Sequence, residues 1–250
     1  MTAHSVFAED LDPSAAISPQ IYAHLRDAII RNRFAPGDRI SESEIARACN
    51  VSRQPVREAF IKLSGEGLLA ILPQRGTIIT KIGYSAVLDA RFLREAIEAD
   101  IVAILANDPN PAVIRELRAQ LKAQAAVVKT DPQDFIGLDE RFHRTLADAA
   151  GKRSAWRLIE GLKSQMDRVR FLSLARFPVK KLIAQHKAVV DRIEIGDPQG
   201  ANAAIRGHLR EVLSDLPQIL AANPDFFEVP DGDIPEPVNA PIQGGMENDV

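Results

Sequence analysis

In the stretch "LDERFH", Asp139 stands four residues before His143, so on a helix the carboxylate and the imidazole project from one face and can share a ligand. Two further histidines, His186 in "AQHKAVVDRIEIGD" and His208 in "AIRGHLREVL", fall in separate helical stretches. One carboxylate and three imidazoles make a suitable shell for a borderline divalent cation such as zinc, nickel or manganese. Taken alone, each histidine reads more readily as a satisfied core or surface residue. A spread over three helices is what a bundle-core site requires, without requiring that the site exist. The other two histidines, His4 and His24, show no such spacing.

A second group has the chemistry of nucleic-acid contact. In "NVSRQPVREAF", Val56, Ala59 and Phe60, followed by Leu63, form an inward stripe at helical spacing. Arg53, Gln54 and Arg57 fall on the adjoining exposed side. A guanidinium there can grip guanine O6 and N7 as a fork, or pair with a phosphate, in the DNA major groove. Ile61 lies near the same side and receives no role.

The elements that must position these residues follow from turn signals. A helix over about 18–32 ends at "FAPGD", and Ser41 or Ser43 can cap a short helix containing Glu44, Ile45 and Ala48. Asn50 permits a tight turn, Ser52 caps the next helix, and Pro55 falls in its first turn. Two helices joined in this way form a helix-turn-helix. Leu68 to Leu72, the turn Pro73 to Gly76, and the β-branched run Thr77 to Thr80 read as a two-stranded hairpin, a wing. From Tyr84 onward the pattern is helical, with breaks at 107–111, 130–132, 151, 177–178 and 196–198. Six helical segments result, with Asp131-Pro132 and Asp197-Pro198 as helix starts. The expected fold is mainly α: an N-terminal winged helix-turn-helix over 17–81, followed by an all-α helical bundle over 84–222. Residues 1–16 and the acidic, proline-rich 223–250 are expected to be disordered tails.

Composition agrees with this division. At 250 residues and 46% apolar content the chain can bury a real core, and its single cysteine, Cys49, excludes an internal disulfide framework. The N-terminus lacks a basic segment followed by an apolar run, and no stretch has the length of a membrane span, so a cytoplasmic protein without membrane contact is expected. Residues 17–81 carry ten Lys and Arg against six Asp and Glu, whereas 221–250 carry seven acids and neither Lys nor Arg. A basic N-terminal module suggests a polyanionic partner there.

The stretch "APGDRISESEIARACNVSRQPVREAFIKLSGEGLLAILPQRGTIIT" resembles the winged helix-turn-helix of the GntR family of bacterial transcription regulators. The resemblance implies DNA contacts from Arg53 and Arg57 on the second helix and from the wing tip, Arg75 and Gly76; Ser43 stands where the family commonly has arginine. "LDERFHRTLADAAG", "AQHKAVVDRIEIGD" and "AIRGHLREVL" resemble the metal-binding stretches of the FCD effector domain of the FadR-like branch, which implies Asp139, His143, His186 and His208 as ligands. "REAIE" resembles the opening of that domain, implying that Arg94 faces the effector cavity, although a salt bridge with Glu98 one turn away serves it equally. Lys152 replaces the usual asparagine after "AAG". The function so implied is a metabolite-responsive regulator, a homodimer on a palindromic double-stranded DNA operator, sensing a small organic acid. Two alternatives stay open: a metal-dependent hydrolase fused to a DNA-binding module, and a DNA-binding protein whose metal is purely structural. Glu140 weakens the hydrolase reading, because it points about 100° away from Asp139 and no other general base stands at a motif position.

Overall fold

The computed structural model describes residues 11–127, 132–173 and 179–230. Its first elements are α1 (Ile17–Ile30), β1 (Arg39–Ile40), α2 (Glu42–Ala48), α3 (Arg53–Gly65), β2 (Leu69–Leu72), β3 (Gly76–Ile79) and β4 (Ile82–Gly83). Seven helices follow among the described residues: α4 (Tyr84–Asn107), α5 (Pro111–Val127), α6 (Pro132–Ala149), α7 (Arg153–Leu162), α8 (Ser164–Leu172), α9 (Val179–Glu194) and α10 (Pro198–Ala222). A short 3-10 turn, Pro224–Phe226, leads into β5 (Phe227–Glu228).

The chain divides into two compact units. The first comprises Met1–Ala90, Glu160–Ala175 and Leu220–Asp233. In its core, Ile21, Leu25 and Ile29 of α1 meet Val56, Ala59, Phe60 and Leu63 of α3, all at most 1% exposed. Burying each large aliphatic or aromatic side chain stabilises the fold by roughly 1.5–3 kcal/mol, so this stripe fixes α3 and leaves its other side outward. Ser41 caps α2 by accepting from the Ser43 amide at 3.2 Å. Asn50 makes the turn into α3 with φ +52°, a value its short polar side chain tolerates. Ser52 stands at the N-cap of α3 in extended conformation but makes no capping bond, which departs from the expected cap.

The wing is a three-stranded antiparallel sheet in the order β1-β3-β2, with Ile71 opposite Thr77 and Ile40 also opposite Thr77. The expected hairpin is its β2-β3 part. The third strand is two residues long, too short for alternation to reveal. Gly76 takes φ +90° at the wing turn, a conformation that favours glycine.

Helix α8, inside the expected 84–222 stretch of sequence, packs within the first compact unit. Seven consecutive residues, Ser164 to Arg170, are buried, and three of them bond the N-terminal segment. Ser164 Oγ accepts from Arg26 Nη2 at 2.9 Å, Gln165 Nε2 donates to the Gly67 carbonyl at 2.9 Å, and Arg168 Nη1 donates to the Thr80 carbonyl at 2.9 Å. Burial all round erases the 3.6-residue stripe, and the interruption at Lys163 turns one expected helical segment into two. The expected disordered tails are also shorter than drawn. Asp12 accepts from the Ser14 amide, and its own amide donates to Gln20 Oε1, each at 2.8 Å. Phe227 is 3% exposed and its strand pairs in parallel with β4, Ile82 opposite Phe227. The aromatic pair Phe226-Phe227 offers apolar area that an inventory of aliphatics overlooks. The remainder of those tails, 1–10 and 231–250, and the breaks expected at 130–131 and 177–178 lie outside the described residues.

The described part of the second unit, within Arg91–Ile159 and Arg176–Ile219, consists of helices and the short turns between them. Its core joins Val102 and Leu105 of α4, Leu117 of α5, Phe142 and Leu146 of α6, Trp156 and Ile159 of α7, Val189 and Ile193 of α9, and Ile205 and Leu209 of α10. Asp197 starts α10 as expected, accepting from the Gly200 amide at 2.8 Å ahead of Pro198.

Candidate metal centre and nucleic-acid interface

Asp139 and His143 project inward from α6, His186 from α9 and His208 from α10, and all four are at most 4% exposed. Each offers one ligand atom, and these atoms lie within 4.8 Å of one another. The Nε2 atoms of His143 and His186 are each 3.2 Å from His208 Nε2, and Asp139 Oδ1 is 3.3 Å from His186 Nε2 and 3.8 Å from His143 Nε2. The rings are wedged against aromatics: Phe142 stacks on His186 at 4.3 Å between centroids, and Trp156 lies parallel to His143 at 6.4 Å.

The outer nitrogens decide which groups converge. His143 Nδ1 meets Glu98 Oε2 at 2.5 Å, His186 Nδ1 meets Gln124 Oε1 at 2.9 Å, and His208 Nδ1 meets Gln185 Oε1 at 3.1 Å. The two glutamine amides cannot be turned round without loss. Gln124 Nε2 donates to the Leu138 carbonyl at 3.3 Å and Gln185 Nε2 donates to Glu211 Oε2 at 2.9 Å, so each oxygen faces its ring. Glu98 is ionised: burial pushes its carboxyl up, but Arg94 and His143 beside it hold it well below the usual carboxylate range. Each Nδ1 therefore carries the proton, and three Nε2 lone pairs point inward beside a carboxylate. Four electron-pair donors packed this closely repel one another unless a cation lies among them. The donor set fits a divalent ion of the zinc, nickel or manganese kind.

Four sequence-derived ligands are thus brought together. Glu98, Gln124 and Gln185 escaped the sequence reading as parts of this centre. A signal existed for Gln124, a polar residue on the same buried stripe as Leu117 and Leu121. Arg94 is 3% exposed and its Nε donates to Glu98 Oε1 at 2.7 Å, the salt bridge foreseen beside its effector-facing reading.

In the first unit, Arg53, Gln54 and Arg57 are all exposed on α3, and Arg75 and Gly76 are exposed at the wing turn. Arg53 donates to Glu42 Oε2 at 2.9 Å and Gln54 donates to Glu58 Oε1 at 3.1 Å. Ile61 is 58% exposed. No helix among the described residues is long and apolar enough to cross a membrane.

Residues 17–79 match the model of bacterial regulatory proteins of the gntR family, and residues 89–211 match the FCD domain. The chain is 37% identical over 219 residues to the HTH-type transcriptional repressor RspR of Escherichia coli K12, covering 87% of this chain and 96% of that protein. It is also 37% identical over 216 residues to an HTH-type transcriptional regulator in an unstable DNA locus of Streptomyces ambofaciens, covering 86% and 91% of the two chains. The solved structure of E. coli McbR/YncC shares the fold, with a TM-score of 0.70 at 19% identity over 82% of this chain and 98% of that one. These relatives are regulators rather than enzymes, which sets the hydrolase alternative aside. The chain belongs to the GntR family of bacterial transcription regulators, with an FCD domain behind its winged helix-turn-helix.

Proposed function

We propose that this regulator acts in the cytoplasm as a homodimer on a palindromic double-stranded DNA operator, and that it senses a small organic acid at a divalent metal ion. The observation that carries the reading is the convergence of Asp139, His143, His186 and His208 to within 4.8 Å in a buried pocket of donors. A bound ion would supply positive charge and open coordination positions to a carboxylate. Asp139 and the three imidazoles would hold it, with Arg94 linked to His143 through Glu98.

On the DNA side, Arg53, Gln54 and Arg57 enter the major groove and Arg75 and Gly76 of the wing meet the backbone. Exposed apolar residues support a second copy as partner: Phe92 at 51% and Ile104 at 42% on α4, and Leu158 at 67% on α7. A two-fold dimer reads an inverted repeat because protein and half-sites share one axis. The acid regulates by favouring one arrangement of the two recognition helices over another.

Fluorescence anisotropy on the operator, with the native chain and His186→Ala, across a panel of mono-, di- and tricarboxylic acids, tests this reading. At least one acid shifts the native protein's DNA affinity and leaves the variant's unchanged. Equal acid responses in both proteins would contradict it.

A further inference from the structure

Three histidines converge through Nε2, and each has its Nδ1 on an oxygen from a residue that is not a ligand: Glu98 of α4, Gln124 of α5 and Gln185 of α9. We infer that Glu98, Gln124 and Gln185 are positioning residues, which lock His143, His186 and His208 in the Nδ1–H tautomer and thereby set the affinity for the metal. The inference rests on the metal reading above and goes beyond it, because none of the three touches the ion.

The physical argument begins with the choice an imidazole faces. A neutral ring carries one proton, and the ring is a ligand only through the nitrogen that lacks it. An acceptor fixed at Nδ1 puts the proton there and leaves Nε2 as the donor. Each acceptor here is itself held from behind: Glu98 by Arg94 Nε at 2.7 Å, Gln124 by the Leu138 carbonyl at 3.3 Å, and Gln185 by Glu211 Oε2 at 2.9 Å. Glu211 also accepts from Lys181 Nζ at 2.5 Å, so the chain behind His208 continues to an exposed ammonium. Three independent supports of one design, on three different helices, are what a site needs when three rings must present the same nitrogen at once.

The supports are unequal. His143 leans on a carboxyl group that Arg94 also pairs, whereas His186 and His208 lean on side-chain amides. A carboxylate raises the basicity of the ring it accepts from, so His143 is the strongest of the three nitrogen donors. It follows that α4 and α5, which carry no ligand, take part in metal binding through Glu98 and Gln124.

The test uses the full chain and zinc alone, titrated in competition with a chromophoric chelator at mildly alkaline pH. Gln124→Leu, Gln185→Leu and Glu98→Gln each weaken zinc binding by about 10- to 100-fold, the usual effect of losing such an outer partner. Gln120→Leu is the control: Gln120 is equally buried on α5, but it bonds Glu116 and Thr145 instead of a histidine, so zinc affinity stays at the native value. In zinc-loaded protein labelled at the imidazole nitrogens, the His186 Nδ1–H signal is protected from exchange and loses that protection in Gln124→Leu. If a leucine variant does not fold, Gln124→Asn and Gln185→Asn, which keep the amide but draw its oxygen back from the ring and leave the buried Arg94–Glu98 pair intact, decide the matter. Zinc binding by the native chain together with undiminished binding in the folded variants would overturn this inference alone. Failure of the native chain to bind zinc would overturn the metal reading along with it.

Discussion

Glu98 joins Arg94 to His143: one carboxylate oxygen accepts from Arg94 Nε at 2.7 Å and the other from His143 Nδ1 at 2.5 Å, with all three side chains at most 3% exposed. The arginine expected to face an effector is therefore coupled to a proposed metal ligand through a single carboxylate. A buried pair of this kind is costly to break on one side only, since the remaining charge is left uncompensated.

Arg94→Leu is accordingly expected to cost about 3 to 5 kcal/mol of stability, the range for removing one partner of a buried ion pair. Thermal or urea unfolding of the metal-free chain measures this. A change below that of an ordinary surface substitution would show that Glu98 finds its counter-charge elsewhere.

Glu95 predicts the acid limb of stability. Burial pushes its pKa up, but hydrogen bonds from Arg210, Arg206 and Arg91 outweigh burial and hold it at about 2. A carboxylate with a depressed folded-state pKa contributes stability that is complete above its unfolded value. That contribution is lost as pH falls from about 4.5 toward 2. Glu95 is 2% exposed, and the depression corresponds to roughly 3 kcal/mol. Glu95→Gln should lower stability at neutral pH by that order and flatten its pH dependence between those limits, as followed by urea midpoints. An unchanged acid limb would remove Glu95 from the account.

Arg53→Ala or Arg57→Ala should weaken specific operator binding by about 1 to 3 kcal/mol where the guanidinium reads a base. The Arg53–Glu42 pair is solvent-exposed at 2.9 Å, so its loss should leave the melting temperature nearly unmoved. Gel-shift titration against operator and scrambled DNA, beside a melting curve, separates the two effects.

Phe227→Ala should destabilise the first unit by about 3 kcal/mol or more, as expected for truncating a buried aromatic residue. The side chain is 3% exposed in a strand paired to Ile82. A neutral result in thermal unfolding would show that β5 carries no stability.

The helix-turn-helix was legible because its signals are local. Ser41, Asn50 and the Val56-Ala59-Phe60-Leu63 stripe each act within one or two turns of chain. Asp139 and His143 were legible for the same reason, being one turn apart. Gln124 and Glu98 were not, since their histidine partners lie 62 and 45 residues away; the buried stripe of α5 marks Gln124 as a polar residue among apolar ones but does not point to His186. Helix α8 was not separable from α7 because sequence periodicity reports a helix with one wet face, whereas Ser164 to Arg170 are buried all round. The start of the acidic tail was misread because composition averages out one aromatic pair.

The central claim is that Asp139, His143, His186 and His208 hold one ion that the effector uses. The most direct measurement is elemental analysis of the purified native chain and of its four single alanine variants, with calorimetry of each against the carboxylic acid that shifts operator binding. One metal per native chain, loss of that metal in every variant, and loss of acid binding with it are expected. Stoichiometric metal in all four variants, or acid binding of unchanged affinity in variants that have lost the metal, would contradict it.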